Sequence, residues 1–563
     1  MAMTGAEYLA RTLDSYGVSS VFLVPTILSK SLYELERHTD IKRIVTHGEK
    51  AAAYMADGYA RASGTPGVCM AQTVGAANLA AGLKDASLGC SPVVALTGGP
   101  YEWSRARNFY QETEDFPLFK PFTKFSAQVG HVSRLPDLLE HAFWTSVTGK
   151  PGPTHLELAG HTGDVIENAE LDADIKAPVH EFHVAALRPQ ADPRAIAAAL
   201  AELTSAQRPV IVAGGGVRDS GAGPELVALA ERLNIPIATS LDGKDTVPGD
   251  HPLNVGVPGL YSRQSANEVL LEADVVFYVG SQTGSQLTLF WKVPAVSTRV
   301  VQLDIDAAEL GRHYPNSVRV QADAKAGLAQ LLEASAGTDH RRTDQWSARA
   351  RRIVDAWKDR VRADEQSDAE PIRPERLCAE LTRHLPDDAL LVSDTGHAGM
   401  WTGGFVDLNK PEQGYIRAAG SLGWGLPAAL GAQLANPERQ TVLFTGDGGF
   451  WYHVAELETA ARWQIPAVIV VNDNQSLNQE IGLYEDAYGG ELTGRHGDLW
   501  HFSDADLAAV AESMGVTGIR VTRPSEIVSA LEKAVTTPGP VVVDVVSDRQ
   551  IVAPRGTDTP ATV

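Results

Sequence analysis

The chain has 563 residues, of which 44% are hydrophobic and 21% are charged, and its 48 Lys and Arg against 70 Asp and Glu give a formal net charge of −22. At roughly 100–200 residues per domain, this length predicts three or four domains with large buried cores. A surface this acidic repels phosphate backbones and anionic lipid, so we expect neither nucleic acid nor a membrane surface as a partner.

The expected environment is the cytoplasm. No apolar run reaches the ~18 residues of a membrane-spanning helix, and Met1 to Tyr8 lack the basic and apolar regions of a signal peptide. The cysteines Cys69, Cys90 and Cys378 are odd in number and lack metal-ligand spacing. This usage is typical of reduced core residues in an intracellular protein.

Strands alternate with helices from the beginning of the chain. Helical stretches such as Lys50–Ala62 separate short apolar runs that predict strands. The first predicted strands are Ser20–Pro25, Lys42–Thr46, Gly67–Gln72 and Pro92–Thr97. Short apolar strands that alternate with helices of ten to fifteen residues indicate parallel, doubly wound sheets.

Two stretches interrupt the alternation. Glu167–Asp192 and Ala334–Glu375 are charged, contain prolines and have weak periodicity, so both are interpreted as linkers flanked by surface helices. They divide the chain into domains with expected limits 1–166, 190–334 and 372–563. The predicted fold class is therefore α/β, with three doubly wound parallel-sheet domains.

In the middle block, a glycine-rich turn follows a predicted strand. The turn is Gly214-Gly215-Gly216, at the end of the apolar run that begins at Pro209. Such a turn can hold a nucleotide, but the full G-x-G-x-x-G pattern is missing. A tight strand-to-helix turn without a ligand is an equal alternative.

The last block has the strongest local motif. An apolar strand, Thr441–Thr445, leads into a sharp turn at Gly446–Gly449, and a helix and a second strand follow, ending near Asn474. Adjacent parallel strands place Asp447 and Asn474 side by side at one sheet edge. Their oxygens suit Mg²⁺, and the glycines Gly446, Gly448 and Gly449 let backbone N–H groups approach phosphate oxygens.

With these motifs the chain resembles the thiamine-diphosphate-dependent enzymes of the acetohydroxyacid synthase and pyruvate decarboxylase group. The resemblance implies that Asp447 and Asn474 bind Mg²⁺ through side chains and Ser476 through its carbonyl. Nearly the whole chain takes part in the resemblance. Further matching segments are His47-Gly48-Glu49 with Ala51–Gly64, Gly420–Ala428, and Leu303–Pro315.

The resemblance also implies the remaining cofactor contacts. Glu49 is expected to hydrogen-bond the aminopyrimidine N1′, in a dry pocket completed by a facing subunit. Leu422 is expected as the wedge beneath the bent cofactor, and the Gly420 carbonyl as the acceptor for its 4′-amino group. Thr395 and His397 are further expected contacts. The three domains then correspond to a pyrimidine-binding, a central and a diphosphate-binding domain.

Three further residues are candidates for the substrate pocket. Gln111 matches the synthases' F-Q-E segment, here Tyr110-Gln111-Glu112. Glu480, six residues after Asn474, corresponds to a Glu of pyruvate decarboxylases that handles protons on the intermediate. Tyr484 follows on the same predicted helix.

The choice of reaction rests on departures from the synthase pattern. Gln282 and Gln286 stand where the synthases have two Arg, one touching FAD and one gripping a carboxylate, and Leu483 stands in place of a Trp. Gln cannot give the charged bidentate grip of Arg. We therefore expect a lyase that cleaves or decarboxylates a 2-oxo acid or a 2-hydroxyacyl substrate, including a 2-hydroxyacyl-CoA. The alternative is an acetolactate-synthase-like carboligase that joins two 2-oxo acids.

The resemblance implies partners as well. A homodimer or homotetramer is expected, with active sites at the subunit interface. The central domain is left with four alternatives: CoA, ADP, FAD or no ligand.

Overall fold

The computed structural model describes residues 2–178, 182–337, 343–491 and 493–556. Three six-stranded sheets follow one another along this part of the chain, all with parallel pairing, and one short antiparallel pair joins β1 (Ala2–Thr4) to β8 (Glu170–Asp172). The predicted fold class, α/β with three doubly wound parallel sheets, is confirmed. None of the described helices is both long enough and apolar enough to span a bilayer.

The first sheet has the strand order β3-β2-β4-β5-β7-β6. Its elements after β1 are α1 (Gly5–Ser15), β2 (Ser20–Leu23), α2 (Ser29–His38), β3 (Lys42–Val45), α3 (Glu49–Ser63), β4 (Gly67–Ala71), α4 (Thr73–Leu88), β5 (Val93–Gly98), α5 (Phe116–Phe119), β6 (Phe125–Val129), α6 (Leu135–Val147), β7 (Thr154–Leu158) and α7 (Asp164–Asn168). The four strands predicted in this region are all present, within a residue or two of the expected bounds.

The second sheet has the order β11-β10-β9-β12-β13-β14. Its elements are α8 (Pro193–Ser205), β9 (Pro209–Ala213), α9 (Gly215–Asp219), α10 (Gly223–Leu233), β10 (Ile237–Thr239), β11 (Asn254–Gly256), α11 (Gln264–Glu272), β12 (Val275–Val279), β13 (Arg299–Asp304), β14 (Val318–Gln321), α12 (Ala324–Ala334) and α13 (Asp344–Glu365). The strand order reverses between β9 and β12, which opens a crevice at their carboxyl ends.

The third sheet has the order β16-β15-β17-β18-β20-β19. Its elements are α14 (Pro374–His384), β15 (Leu390–Ser393), α15 (His397–Phe405), β16 (Gly414–Arg417), α16 (Gly425–Ala435), β17 (Thr441–Gly446), α17 (Asp447–Tyr452), α18 (Glu456–Trp463), β18 (Val468–Asp473), α19 (Ile481–Ala487), α20 (Leu507–Ser513), β19 (Thr517–Val521), α21 (Ile527–Thr536) and β20 (Val541–Val546). Successive residues of β17 enter two different cores, Leu443 on one face and Phe444 on the other, so both faces of this sheet are covered.

Three local expectations are corrected by the fold. The glycine turn Gly446–Gly449 is the first turn of a helix, because α17 begins at Asp447. The second predicted linker contains the 22-residue helix α13, whose apolar stripe buries Trp346 and Trp357. Because the outer face of α13 is highly charged, the composition of the segment did not reveal this apolar stripe. The first predicted linker contains β8, and its residues 179–181 lie outside the described part of the chain.

Helices α3 and α16 pack backbone against backbone and join the first sheet's domain to the third. A β-carbon on Gly58 would collide with the Ala428 carbonyl, and one on Gly431 would collide with the Met55 carbonyl. Glycine at these two positions allows the close approach. One hydrophobic core then runs through both domains, which fixes the first domain against the cofactor half of the chain.

Candidate active site

The ends of β17 and β18 bring the three predicted metal ligands together. These strands are adjacent and parallel, with Gly446 opposite Asn472. The backbone N–H of Ser476 donates to Asp447 Oδ2 at 2.8 Å and to Asn474 Oδ1 at 3.1 Å, and the Ser476 hydroxyl donates to Asn474 Oδ1 at 3.0 Å. The sheet edge therefore holds a carboxylate, an amide oxygen and the Ser476 main chain in one place.

Burial gives Asp447 an unusual proton affinity. The side chain is 3% exposed, and this burial raises the pKa of its carboxyl to about 7, against the opposing hydrogen bonds from the N–H groups of Gly448 and Ser476. A divalent cation beside the carboxylate compensates its charge and holds it ionised. The neighbouring Asp473 is also buried, but it does not line the cavity next to Asp447.

A cavity of about 270 Å³ opens above these groups. Twelve of its lining residues are the metal ligands, the expected cofactor contacts, Glu480 and Asn472. In chain order they are Thr395, His397, Gly420, Leu422, Gly446, Asp447, Gly448, Gly449, Asn472, Asn474, Ser476 and Glu480. Every predicted diphosphate-side contact thus faces a single cavity.

The cavity wall fits a diphosphate with its cation. A β-carbon on Gly449 would lie 2.7 Å from Thr445 Oγ1 and 2.8 Å from Asp394 Oδ2, which favours glycine at that position, whereas the nearest atom to one on Gly448 would be the movable end of Leu477, at 2.5 Å. A β-carbon on Gly446 would meet nothing within 4 Å, which leaves that part of the wall open to a ligand. Asn472 Oδ1 is buried and has no hydrogen-bond partner among the described residues, so it is available to a ligand, a cation or an ordered water.

The orientation of Asn478 fixes the tautomer of His397. Asn478 Nδ2 donates to the carbonyls of Arg549 at 3.2 Å and Ile551 at 3.1 Å, so its Oδ1 faces His397 Nδ1, 2.6 Å away. An amide oxygen only accepts, so Nδ1 carries the hydrogen and Nε2 carries the lone pair. Nε2 is buried without a partner among the described residues, and burial lowers the pKa of His397 to about 4. His397, which is one of the residues that line the cavity, therefore carries a neutral imidazole.

The C-terminal strap, residues 549–556, crosses the loop that carries the ligands. Arg549 Nε donates to the Asn474 carbonyl at 3.1 Å, and Arg555 Nη2 donates to the Gln479 carbonyl at 2.8 Å. The N–H of Gly556 donates to the Leu260 carbonyl of the second domain at 2.9 Å. The strap therefore ties the ligand loop to the neighbouring domain.

Three predicted catalytic residues do not line this cavity. Glu49 begins α3, at the carboxyl edge of the first sheet, and accepts a hydrogen bond from Asn78 Nδ2 at 3.2 Å. Gln111 lies in the loop between β5 and α5, on the same sheet edge. Tyr484 lies on α19, a helix without buried residues. One chain therefore carries two separate groups of candidate residues.

Sequence reasoning did not include Asn472 and Asp394. Asn472 lies in β18 and Asn474 follows the end of that strand, and both line the cavity. Asp394 follows β15 and accepts hydrogen bonds from the N–H groups of Thr395, Gly423 and Gly425. Two of these partners lie 29 and 31 residues away along the chain, so no local pattern identifies Asp394.

A second cavity, of about 370 Å³, occupies the crevice of the second sheet and reaches the first and third domains. The glycine run Gly214–Gly216 lines it, and so do Gln282 and Gln286. Gln286 Oε1 accepts from Arg417 Nη2 at 3.0 Å, and Gln282 Nε2 donates to Cys90 Sγ at 3.0 Å. Both glutamines thus belong to the crevice, together with a buried arginine from the third domain.

Three family models match successive parts of the chain. They are the thiamine pyrophosphate enzyme N-terminal TPP binding domain over residues 3–118, the central domain over 196–331 and the C-terminal TPP binding domain over 394–545. The fold, the cavity and these matches agree: the chain belongs to the thiamine-diphosphate-dependent enzymes.

Similar proteins carry names that specify a reaction. The probable acetolactate synthase large subunits of Methanocaldococcus jannaschii and Methanococcus aeolicus are each 32% identical to the chain, over 97% of it and 92% of their own length. The acetolactate synthase large subunit of Corynebacterium glutamicum is 30% identical, over 94% of the chain and 84% of its own length.

These relatives overturn the expectation of a lyase. That expectation, including cleavage of a 2-hydroxyacyl-CoA, is wrong, because the relatives are named for carboligation. It treated Gln282 and Gln286 as the loss of a cationic wall. In the structure, Gln286 accepts a hydrogen bond from Arg417 of the third domain, and the Arg417 guanidinium is itself paired with Asp242 of the second domain.

Proposed function

We propose that the chain is a carboligase of the acetolactate synthase type, which joins two 2-oxo acids with loss of one CO₂. The observation that carries the proposal is similarity over almost the full length of both chains to proteins of that name, 97% of this chain and 92% of the archaeal relative. The alternative weighed from sequence thus replaces the lyase.

We assign the cofactor contacts as follows. Asp447, Asn474 and the Ser476 carbonyl hold Mg²⁺, a hard cation that prefers oxygen ligands. The α17 glycines admit the diphosphate, with Thr395 and His397 at its edge. Thiamine diphosphate, when bound, supplies a carbanion that adds to a carbonyl carbon. Leu422 supports the cofactor from below, and the Gly420 carbonyl accepts from its amino group.

We assign proton handling to two carboxyl groups. Glu480 is half-buried in the cavity wall. We assign to it the proton that the substrate's carbonyl oxygen takes up. Glu49 holds the proton at the pyrimidine N1′. Gln111, on the same edge as Glu49, orients the substrate, and Tyr484 approaches it from α19.

Glu49 does not line the cavity, and this supports a homodimer or a homotetramer. A second chain that brings its first domain to the cavity completes the site, and two-fold symmetry completes both sites at once. Large side chains are exposed where this contact would form: Trp451 and Tyr452 follow Asp447 on α17, and Val74 lies next to Gly75, which touches Glu49. Such residues favour burial in an interface.

The second-sheet crevice supports a nucleotide-containing ligand, with CoA, ADP and FAD as the candidates. It lies at the point where strand order reverses, where α/β sheets bind nucleotides, and the Gly214–Gly216 run borders it. A ligand present at about 100 times its dissociation constant stabilises the folded protein by about 2.7 kcal/mol. A rise in Tm with one of the three compounds therefore identifies the ligand of the crevice. No shift with any of the three contradicts this assignment.

We place the activity in the cytoplasm. All three cysteines are free, and Cys69 and Cys378 are buried. Free thiols persist in reducing compartments.

Stoichiometry tests the carboligase. Carboligation releases one CO₂ for every two pyruvate molecules consumed, whereas decarboxylation to an aldehyde releases one for each. We expect a ratio near one half, with Mg²⁺ and thiamine diphosphate required. A ratio near one contradicts the proposal, and Asp447→Asn is the inactive control.

A further inference from the structure

Two buried carboxylates accept hydrogen bonds from alternate backbone amides of the segment 419–425, which joins β16 to α16. Asp85 accepts from the N–H of Ala419 at 2.8 Å and of Ser421 at 2.9 Å. Asp394 accepts from the N–H of Gly423 at 3.1 Å and of Gly425 at 3.1 Å. Each carboxylate uses one oxygen for each amide, so four odd-numbered residues in succession are held.

Two of the three residues between the held amides line the cofactor cavity, whereas the third, Trp424, is fully buried. Gly420 and Leu422 line the cavity, and Gly420 is flanked by the two amides that Asp85 holds. The Gly420 carbonyl and the Ser421 N–H belong to one planar peptide group, so the hydrogen bond from Ser421 to Asp85 also sets the direction of the Gly420 carbonyl. Leu422 lies between the Ser421 amide, held by Asp85, and the Gly423 amide, held by Asp394.

Asp85 comes from the first domain of the same chain and is itself anchored. It lies on α4, is fully buried and receives Arg61 Nη2 at 3.1 Å. Arg61 also makes two hydrogen bonds to Asp57, at 2.7 and 2.8 Å, and Asp57 accepts from Trp424 Nε1 at 2.8 Å. The Arg417 carbonyl accepts from Arg61 Nη1 at 2.6 Å. The first domain thus holds this region at four points.

The charges of the buried side chains are only partly balanced among themselves. Two carboxylates share one guanidinium in a dry interior, so the backbone N–H groups of Ala419 and Ser421 supply the remaining compensation. A buried carboxylate that loses such donors is strongly destabilised. Asp85 and the segment therefore order each other.

We propose that Asp85 is a positioning residue for the cofactor, which sets Gly420 and Leu422 through the amides of Ala419 and Ser421. The proposal makes the cofactor cavity of the third domain depend on the first domain of the same chain. It rests on the thiamine-diphosphate cavity and not on the reaction, so product analysis does not decide it.

The binding of two different ligands distinguishes a positioning role of Asp85 from a general effect on folding. Inorganic pyrophosphate with Mg²⁺ probes the Asp447–Asn474 edge alone, whereas thiamine diphosphate with Mg²⁺ also meets Gly420 and Leu422. For Asp85→Asn, calorimetric titration of the full chain is expected to show Kd at least tenfold higher for thiamine diphosphate and within twofold of wild type for pyrophosphate.

Asp407→Asn is the matched control, because Asp407 also has a buried partner, Arg263 Nη2 at 2.7 Å, but touches no part of the segment. It is expected to leave both Kd values within twofold. The proposal is overturned if Asp85→Asn leaves the Kd of both ligands unchanged, or raises both Kd values equally.

The wild-type chain gives a second test that does not depend on the variant's folding. Hydrogen exchange resolved to single residues is expected to be at least tenfold slower at 419, 421, 423 and 425 than at 420 and 422. Equal exchange across the segment overturns the proposal.

Discussion

The carboxylate of Asp447 and the backbone N–H of Ser476 are joined by a hydrogen bond of 2.8 Å, although 29 residues separate them. One follows β17 and the other follows β18, so the contact is made by the parallel pairing of the two strands. The same N–H also contacts Asn474 Oδ1 at 3.1 Å. The loop after β18 is therefore already folded around the place where a cation would bind.

We predict that Asp447→Asn abolishes Mg²⁺-dependent cofactor binding. An amide cannot supply the anionic oxygen that a hard divalent cation prefers, so Kd for thiamine diphosphate should rise about 100-fold, or about 2.7 kcal/mol. Asp473→Asn is the control, since Asp473 is buried but does not line the cavity. Its Kd, measured by calorimetry, should stay within threefold. Equal losses in the two variants would contradict the assigned ligand.

We predict that Gly446→Ala weakens cofactor binding without lowering the stability of the fold. The added methyl group meets no protein atom within 4 Å, so Tm should change by no more than about 1 °C. It occupies space assigned to the diphosphate, and Kd should rise at least about tenfold, or about 1.4 kcal/mol. Unchanged affinity at unchanged Tm would place the diphosphate elsewhere.

Mixed dimers test whether two chains build each site. We predict that Glu49→Gln and Asp447→Asn are inactive separately, and that a purified heterodimer of the two regains about half of wild-type activity, because one of its two sites is intact. The mirror control pairs wild type with a chain that carries both substitutions, and it should be inactive. The reverse pattern would show that each chain builds its own site.

His155 should make the protein sensitive to acid. Its ring stacks on Phe119 with centroids 3.5 Å apart, its nitrogens lie 2.8 Å from Thr97 Oγ1 and 2.9 Å from Ser126 Oγ, and burial lowers its pKa to about 3. The unfolded chain takes up this proton below about pH 6.5 while the native chain does not, so stability falls as pH falls.

Between pH 7.5 and 5.0, wild type should lose about 2 kcal/mol more of its unfolding free energy than His155→Gln does. Denaturant unfolding of both proteins at several pH values measures the difference. Parallel pH profiles would contradict the neutral, buried imidazole.

The proximity of Asp447 and Asn474 could be predicted from sequence because a βαβ unit is local. The turn after Thr445 and the Asn that ends the next strand lie within one supersecondary unit, and parallel pairing fixes their proximity. The helix α13 was missed because its charged face dominates the composition, while only Trp346, Trp357 and a few neighbours form its buried stripe.

The contacts between domains could not be predicted from single positions in the sequence. Arg417 reaches Gln286 from the third domain, and Asp85 reaches Ser421 from the first. No periodicity records contacts across more than a hundred residues. Three-dimensional packing decides which charges share a wall.

The most direct measurement of the central claim is carbon NMR of the products from pyruvate labelled with ¹³C at C2, with Mg²⁺ and thiamine diphosphate present. We predict a product in which two labelled carbons are bonded to each other, one bearing a hydroxyl and the other a ketone, with mutual ¹³C–¹³C coupling. A labelled aldehyde without such coupling would contradict the carboligase.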